Sequence, residues 1–130
     1  MNAHNISIRQ RRFISRARYK EDRGWQREIM LTITGKIRHK YQMPAQNRQL
    51  EYYFYTDIEQ KAISLLQKLE EYGYSSSYGL VPEHSGLFVI KGSTDEVFMA
   101  VEDFVAWAEK MCDIGFRCDC EFDGWSTRLL

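Results

Sequence analysis

Leu50-Glu51-Tyr52-Tyr53-Phe54-Tyr55-Thr56-Asp57-Ile58-Glu59 is the stretch from which the fold can be read. Its first six residues form a short aromatic run with period-two alternation. Leu50, Tyr52 and Phe54 therefore share one face of a predicted strand, and Glu51, Tyr53 and Tyr55 take the other. Thr56 and Glu59 then have capping-box spacing, which predicts a helix over about 57–72. Ile58, Ala62, Leu65, Leu66 and Leu69 follow at three- and four-residue steps as its apolar stripe, and Gly73 supplies a left-handed stop.

Further along, 74–81 and 86–91 read as extended runs joined by Pro82-Glu83-His84-Ser85, a hairpin connection. Ser93-Thr94-Asp95-Glu96 repeats the capping-box spacing. Val97, Val101, Phe104, Val105, Ala108 and Met111 continue with helical period, so a second helix is predicted from there to Gly115. Phe116-Arg117-Cys118-Asp119-Cys120-Glu121-Phe122 alternates throughout and is predicted as the last strand, with Arg117, Asp119 and Glu121 on its polar face. The order strand, helix, strand, strand, helix, strand predicts an α+β, ferredoxin-like βαββαβ domain over 49–130. In it two helices cover one face of a four-stranded antiparallel sheet. The other face would then carry Glu51, Tyr53, Tyr55, Arg117, Asp119 and Glu121, a surface both aromatic and acidic.

Upstream, residues 1–48 form a basic extension, an arm followed by a helix. Arg9, Arg11, Arg12, Arg16, Arg18, Lys20 and Arg23 crowd the first 24 residues with few large apolar side chains. Trp25, Ile29, Ile33, Ile37 and Tyr41 recur every fourth residue, while Ile29–Thr34 also alternates. Helix over about 22–40 is the preferred reading, against the weakening effect of Thr32, Thr34 and Gly35. Residues 42–48 would then be a linker. The charges are sharply split. Residues 1–48 hold 12 Lys and Arg against 3 Asp and Glu, and 49–130 hold 6 against 15, so that halves of +9 and −9 cancel. The basic arm can bind nucleic acid through Arg9, Arg11, Arg12, Arg16 and Arg18, cover the chain's own acidic half, or stay solvated.

The 130 residues, 44% apolar and 28% charged, suit one compact domain without a membrane span. Cys112, Cys118 and Cys120 form no Cys-x-x-Cys pair and lack a fourth ligand for zinc, so core packing is their expected role and no metal or cofactor is predicted. An odd cysteine count points to a reducing cytoplasm. An arginine-rich, acid-free start is the one transit-peptide-like feature. His4, His39 and His84 lie outside any nucleophile or metal motif, and Ser75-Ser76-Ser77 has no neighbouring base, so catalysis is not predicted. Gly86-Leu87-Phe88-Val89-Ile90 is distantly similar to the aromatic strand of an RNA recognition motif, but a sheet in a −9 half suits single-stranded RNA poorly. Trp125, after Asp123-Gly124, can either cap the sheet or anchor a partner.

The aromatic strand 50–55, the helix ending Leu69-Glu70-Glu71-Tyr72-Gly73-Tyr74, and Glu121-Phe122-Asp123-Gly124-Trp125-Ser126-Thr127 together resemble the regulator of ribonuclease E activity B family. Its members end in a similar Tyr-Asp-Gly-Trp-Gly-Thr run. The resemblance covers 49–127, and the Asp-Gly-Trp-x-Thr ending is its distinctive part. It implies a ferredoxin-like, non-catalytic cytoplasmic protein that binds endoribonuclease E, lowers its activity and so alters messenger RNA decay. Phe122 and Ser126 replace the usual Tyr and Gly, and the arginine-rich arm replaces an acidic segment. The expectation is a protein-binding inhibitor of a ribonuclease or its scaffold, with Glu51, Tyr53, Tyr55, Asp119, Glu121, Asp123 and Trp125 as the partner surface. An RNA-binding module driven by the arm, an immunity-type protein neutralising a toxin, and a small-molecule enzyme on the same fold are the alternatives.

Overall fold

The structure, a computed structural model, describes residues 12–41, 47–98 and 100–126. Among them the chain opens with α1 (Arg16–Tyr41). The four-residue recurrence from Trp25 to Tyr41 thus prevails over the local alternation, and the helix begins earlier than the predicted 22. Its start is set by Ser15, whose Oγ accepts the Arg18 amide at 3.0 Å. Then follow β1 (Asn47–Thr56), α2 (Glu59–Glu71), β2 (Ser75–Leu80), β3 (Phe88–Phe98), α3 (Val101–Arg117) and β4 (Glu121–Ser126). The strands form one antiparallel sheet in the order β2-β3-β1-β4, giving an α+β architecture of three helices and four strands among the described residues. No helix among those residues is long and apolar enough to cross a membrane.

β1 is central and alternates as predicted. Leu50, Tyr52, Phe54 and Thr56 are fully buried, whereas Glu51 is exposed and Tyr53 and Tyr55 are half-buried on the other face. Against the buried face pack Ala62, Leu65 and Leu69 of α2 and Phe104, Ala108 and Met111 of α3. Gly115 lets α3 approach β1 closely: a Cβ there would stand 2.7 Å from the Cys120 carbonyl and 2.9 Å from the Phe54 ring. Gly92 plays the same part in the sheet. It faces Tyr52, whose ring crosses over it so that the hydroxyl donates to the Ser75 carbonyl at 3.3 Å.

Three details differ from the expectation. Thr56 and Glu59 make no capping box: the α2 N-cap is Ile58, and the Thr56 hydroxyl is buried, donating to the Asp119 carbonyl at 2.9 Å. The second predicted capping box, 93–96, lies inside β3. Gln49 pairs with Glu96 but Glu51 with Ser93, so Thr94 and Asp95 bulge opposite Leu50, and the Thr94 Oγ1 accepts the Leu50 amide at 3.0 Å. With its hydroxyl consumed by the sheet, Thr94 extends the strand rather than starting a helix. The predicted strand 116–122 is also corrected. Phe116 and Arg117 belong to α3, which runs past Gly115, and the chain reverses at Asp119 (φ 58°) before β4 begins at Glu121.

β4 carries a second bulge. Tyr53 pairs with Gly124 but Phe54 with Phe122, leaving Asp123 as the extra residue, and Gly124 (φ 147°) supplies backbone that L side chains rarely adopt. The added residue returns Trp125 to the same face as Phe122. There it meets the Phe104 ring edge-on, centroids 4.7 Å apart. Asp-Gly-Trp is therefore a device that brings two bulky rings, three residues apart, onto one face.

Adding a methyl at either close approach should be costly. Gly115→Ala is expected to lower stability by about 1–3 kcal/mol through overpacking, outweighing the gain in helix propensity of roughly 1 kcal/mol. Gly92→Ala should cost at least as much, its Cβ falling 2.0 Å from the Ser75 carbonyl. Urea unfolding checks both, and a Gly115→Ala chain as stable as the native one would contradict the close packing of α3 on β1.

Candidate protein-binding surface

The sheet face turned away from α2 and α3 gathers Glu51, Tyr53 and Tyr55 from β1. Across the ladder Glu51 faces Ser93, Tyr53 faces Lys91, and Lys91 faces Ser77. The Tyr53 hydroxyl donates to Glu51 Oε2 at 3.3 Å. Glu51, Tyr53, Ser77, Lys91, Gly92 and Ser93 line a shallow depression of about 250 Å³. Half-buried tyrosines beside an exposed carboxylate combine apolar contact area with polar tips, the composition that protein interfaces favour.

β4 continues this face with Glu121, directly opposite Tyr55. Its charge is met from within the chain, because Arg18 Nε lies 2.6 Å from Glu121 Oε2 and 3.3 Å from Asp22 Oδ1. Two carboxyl groups thus share one guanidinium in a partly dry setting. Burial first, then the hydrogen bond and charge of Glu121, push Asp22 up to about 7. Burial pushes the Glu121 carboxyl up as well, but Asp22 and Arg18 outweigh it and hold that carboxyl below its ordinary value. The pair therefore gives up its last proton only near neutral pH, far above the ordinary carboxylate range.

Asp119 is not on the strand face where the alternation put it. It is 8% exposed in the α3–β4 turn. Its carboxylate accepts the amides of Phe13 at 2.8 Å and Ile14 at 3.0 Å, and lies 2.6 Å from Lys61 Nζ and 3.5 Å from Arg12 Nε. Burial opposes its charge, yet the Ile14 amide, Lys61 and the Phe13 amide outweigh that and keep the carboxyl low. Asp123 stands exposed at the β4 bulge, its carboxyl pushed up by partial desolvation and then by Glu121. Trp125 is half-buried against Phe104, the capping role. Of the seven predicted residues, the structure assembles Glu51, Tyr53, Tyr55 and Glu121 on one face and uses Asp119 and Trp125 internally.

Arg9 and Arg11 lie outside the described residues. Arg12 and Arg16 stand over the Phe116 ring at 4.3 and 5.5 Å, and Arg12 also donates to the carbonyls of Phe116 and of Ile14. With Arg18 on Glu121, these described arginines turn toward the chain's own acidic half, one of the three readings open for the arm. Sequence reasoning missed the continuation of this contact. Arg23 pairs with Glu109 at 2.7 Å and Asp113 at 3.0 Å, the Tyr19 hydroxyl donates to Asp113, and the Tyr19 ring stacks on Phe116 at 4.4 Å. The signal was present: Tyr19, Arg23 and Arg27 form one four-residue stripe on α1, and Glu109 and Asp113 form the complementary one on α3.

Cys112 and Cys120 are buried, and burial pushes both thiols up to about 12, far from a reactive thiolate. Among the described residues no group of three His, Cys, Asp or Glu could hold a metal ion.

A family model described as regulator of ribonuclease activity B matches residues 34–127, which include the whole sheet, α2, α3 and the last turns of α1. No curated protein matches the chain.

The two buried acids act on stability with opposite sign. Asp119, held below its ordinary 3.8, contributes stability above that value and loses it as pH falls through the lowered one. Asp22, raised from 3.8 to about 7, contributes most below 3.8 and loses it as pH rises through about 7. The native chain should therefore melt at a lower temperature at pH 8 than at pH 5. Asp22→Asn should remove that decline, melting roughly 3–5 °C above the native chain at pH 8. Parallel melting curves of the two proteins across this range would refute the pair's late deprotonation.

Proposed function

The chain belongs to the regulator of ribonuclease activity B family, and from that premise we propose that it is a non-catalytic, protein-binding regulator of a ribonuclease E-like endoribonuclease or its RNA-degrading assembly. It would act by occupying a surface of the enzyme or its scaffold, lowering cleavage and slowing RNA decay, and its place of action is taken to be the cytoplasm. The βαββαβ element order with strand order β2-β3-β1-β4 supports a ferredoxin-like reading of 49–130, with 1–48 as an extension.

The observation that carries this reading is the sheet face opposite α2 and α3, where Glu51 and Tyr53 meet Lys91 and Ser77 around a shallow depression and Tyr55 continues the same face. A broad, shallow face with amphipathic rings suits a macromolecular partner. The exposed carboxylate of Glu51 gives it complementarity to a basic segment, and such complementarity governs partner choice and encounter rate more than raw affinity. RNA binding through Arg12, Arg16 and Arg18 has less support, since these side chains face Phe116, Asp119 and Glu121.

The test is a cleavage assay of a ribonuclease E-like enzyme with the purified chain. Inhibition is expected, weakened at least ten-fold by Tyr53→Ala or Tyr55→Ala, since interface aromatics commonly contribute about 2 kcal/mol. Glu51→Lys should weaken it and also reduce its dependence on salt. Undiminished inhibition by folded Tyr53→Ala and Tyr55→Ala chains would move the binding surface elsewhere, and no inhibition by the native chain would overturn the function.

A further inference from the structure

We propose that residues 12–27 are a detachable strap, and that the acidic strip it covers on α3 and β4 is a second docking surface, fitted to an arginine-bearing helix of the regulated partner. The inference rests on the reading of the chain as a protein-binding regulator. It adds where else the partner binds and what competes with it.

The strip consists of Glu109 and Asp113 on α3, Asp119 in the following turn and Glu121 on β4. The structure shows what it accepts, because such a helix is seated there. α1 runs antiparallel to α3, with Arg12 on Asp119, Arg18 on Glu121, Arg23 on both Glu109 and Asp113, and Arg27 3.9 Å from Glu109. The four-residue spacing of Arg23 and Arg27 repeats that of Glu109 and Asp113, so any helix with arginines at that interval can follow the same path.

Several features make this occupant exchangeable. The arginine side chains of the contact remain between 39% and 60% exposed, so their ion pairs are screened by salt and individually weak. Apolar burial is limited: Ile14 is buried, Phe13 and Tyr19 are half-buried, Tyr19 against Phe116 and the edge of the core, and Trp25 is 60% exposed. α1 does not sustain itself either. Its first turn holds no acid, Arg16 and Arg18 stand at the positive end of the helix dipole, and Gly24 sits within it. Buried Gln26 Oε1 makes no hydrogen bond, a cost to the docked state. When the strap leaves, Asp119 gives up the Phe13 and Ile14 amides and Arg12, but it is uncovered to water and keeps Lys61 as its partner. The match to the family model begins at residue 34, so the strap lies outside the part of the chain that the family model describes.

A fluorescent synthetic peptide with the sequence of residues 12–33 is the probe, titrated in low salt against the full chain and against full-length Arg18→Glu/Arg23→Glu, whose own strap is disfavoured. The variant is expected to bind the peptide at least ten-fold more tightly than the native chain. Adding Glu109→Gln and Asp113→Asn should abolish the gain, and raising salt should weaken binding steeply. Amide hydrogen exchange on the unaltered chain gives a second measurement that needs no variant. Amides of 16–27 should exchange faster than those of β1 and should accelerate as salt rises. Equal peptide binding by native and variant chains, or strap amides that open only together with β1, would overturn the proposal. Neither readout involves a ribonuclease, so a failure here is distinct from a failure of the inhibition assay.

Discussion

Much of the architecture is tied together at Asp119. Its left-handed backbone ends α3 and turns the chain into β4; its carbonyl accepts the hydroxyl of Thr56 at the end of β1; and its carboxylate holds Lys61 of α2 and the amides of Phe13 and Ile14 ahead of α1. A single buried carboxylate is tolerable there only because these donors keep it charged, replacing the water it has lost. The constraint fixes where the first helix begins its path and aligns it against α3. It also closes the end of the sheet beside Thr56.

That alignment brings opposite charges of the two halves of the chain together. Among the described residues Arg12, Arg18, Arg23 and Arg27 of the basic beginning pair with Asp119, Glu121, Glu109 and Asp113 of the acidic remainder. The acidic character expected of the whole domain is therefore unevenly available. It is matched where α1 lies and free on the far side of the sheet, around Glu51. Net charge describes neither surface, because only the placement of the charges decides what another molecule meets.

What could be read from the sequence follows from how many structures a pattern fits. Leu50–Tyr55 alternates, is aromatic and precedes an unmistakable apolar helical stripe, and both elements were legible together with the face that carries Glu51, Tyr53 and Tyr55. Ser93–Glu96 fits a helix start and a strand equally well, and the choice is made by the Leu50 amide, 44 positions away, which takes the Thr94 hydroxyl. Phe116–Phe122 alternates, yet Phe116 also continues the helical face that receives Tyr19 and Arg12. Asp119 is expected on the open face of the last strand, and the structure instead buries it in the turn before β4, because its partners Phe13, Ile14 and Lys61 are distant in sequence. Local patterns specify elements, and long-range hydrogen bonds decide where ambiguous ones stop.

The bulge at Asp123 has a further consequence, because β4 is one of the two outer strands of the sheet. An extra residue and the unusual backbone of Gly124 break the even comb of amides and carbonyls along that margin, which discourages another chain from adding itself there. The opposite margin, Ser75–Leu80, pairs without interruption and bears no charge to repel a newcomer. The sheet thus has one blunted rim and one open rim, so unwanted self-association, if it begins anywhere on the sheet, grows in a single direction, outward from the serine-rich strand.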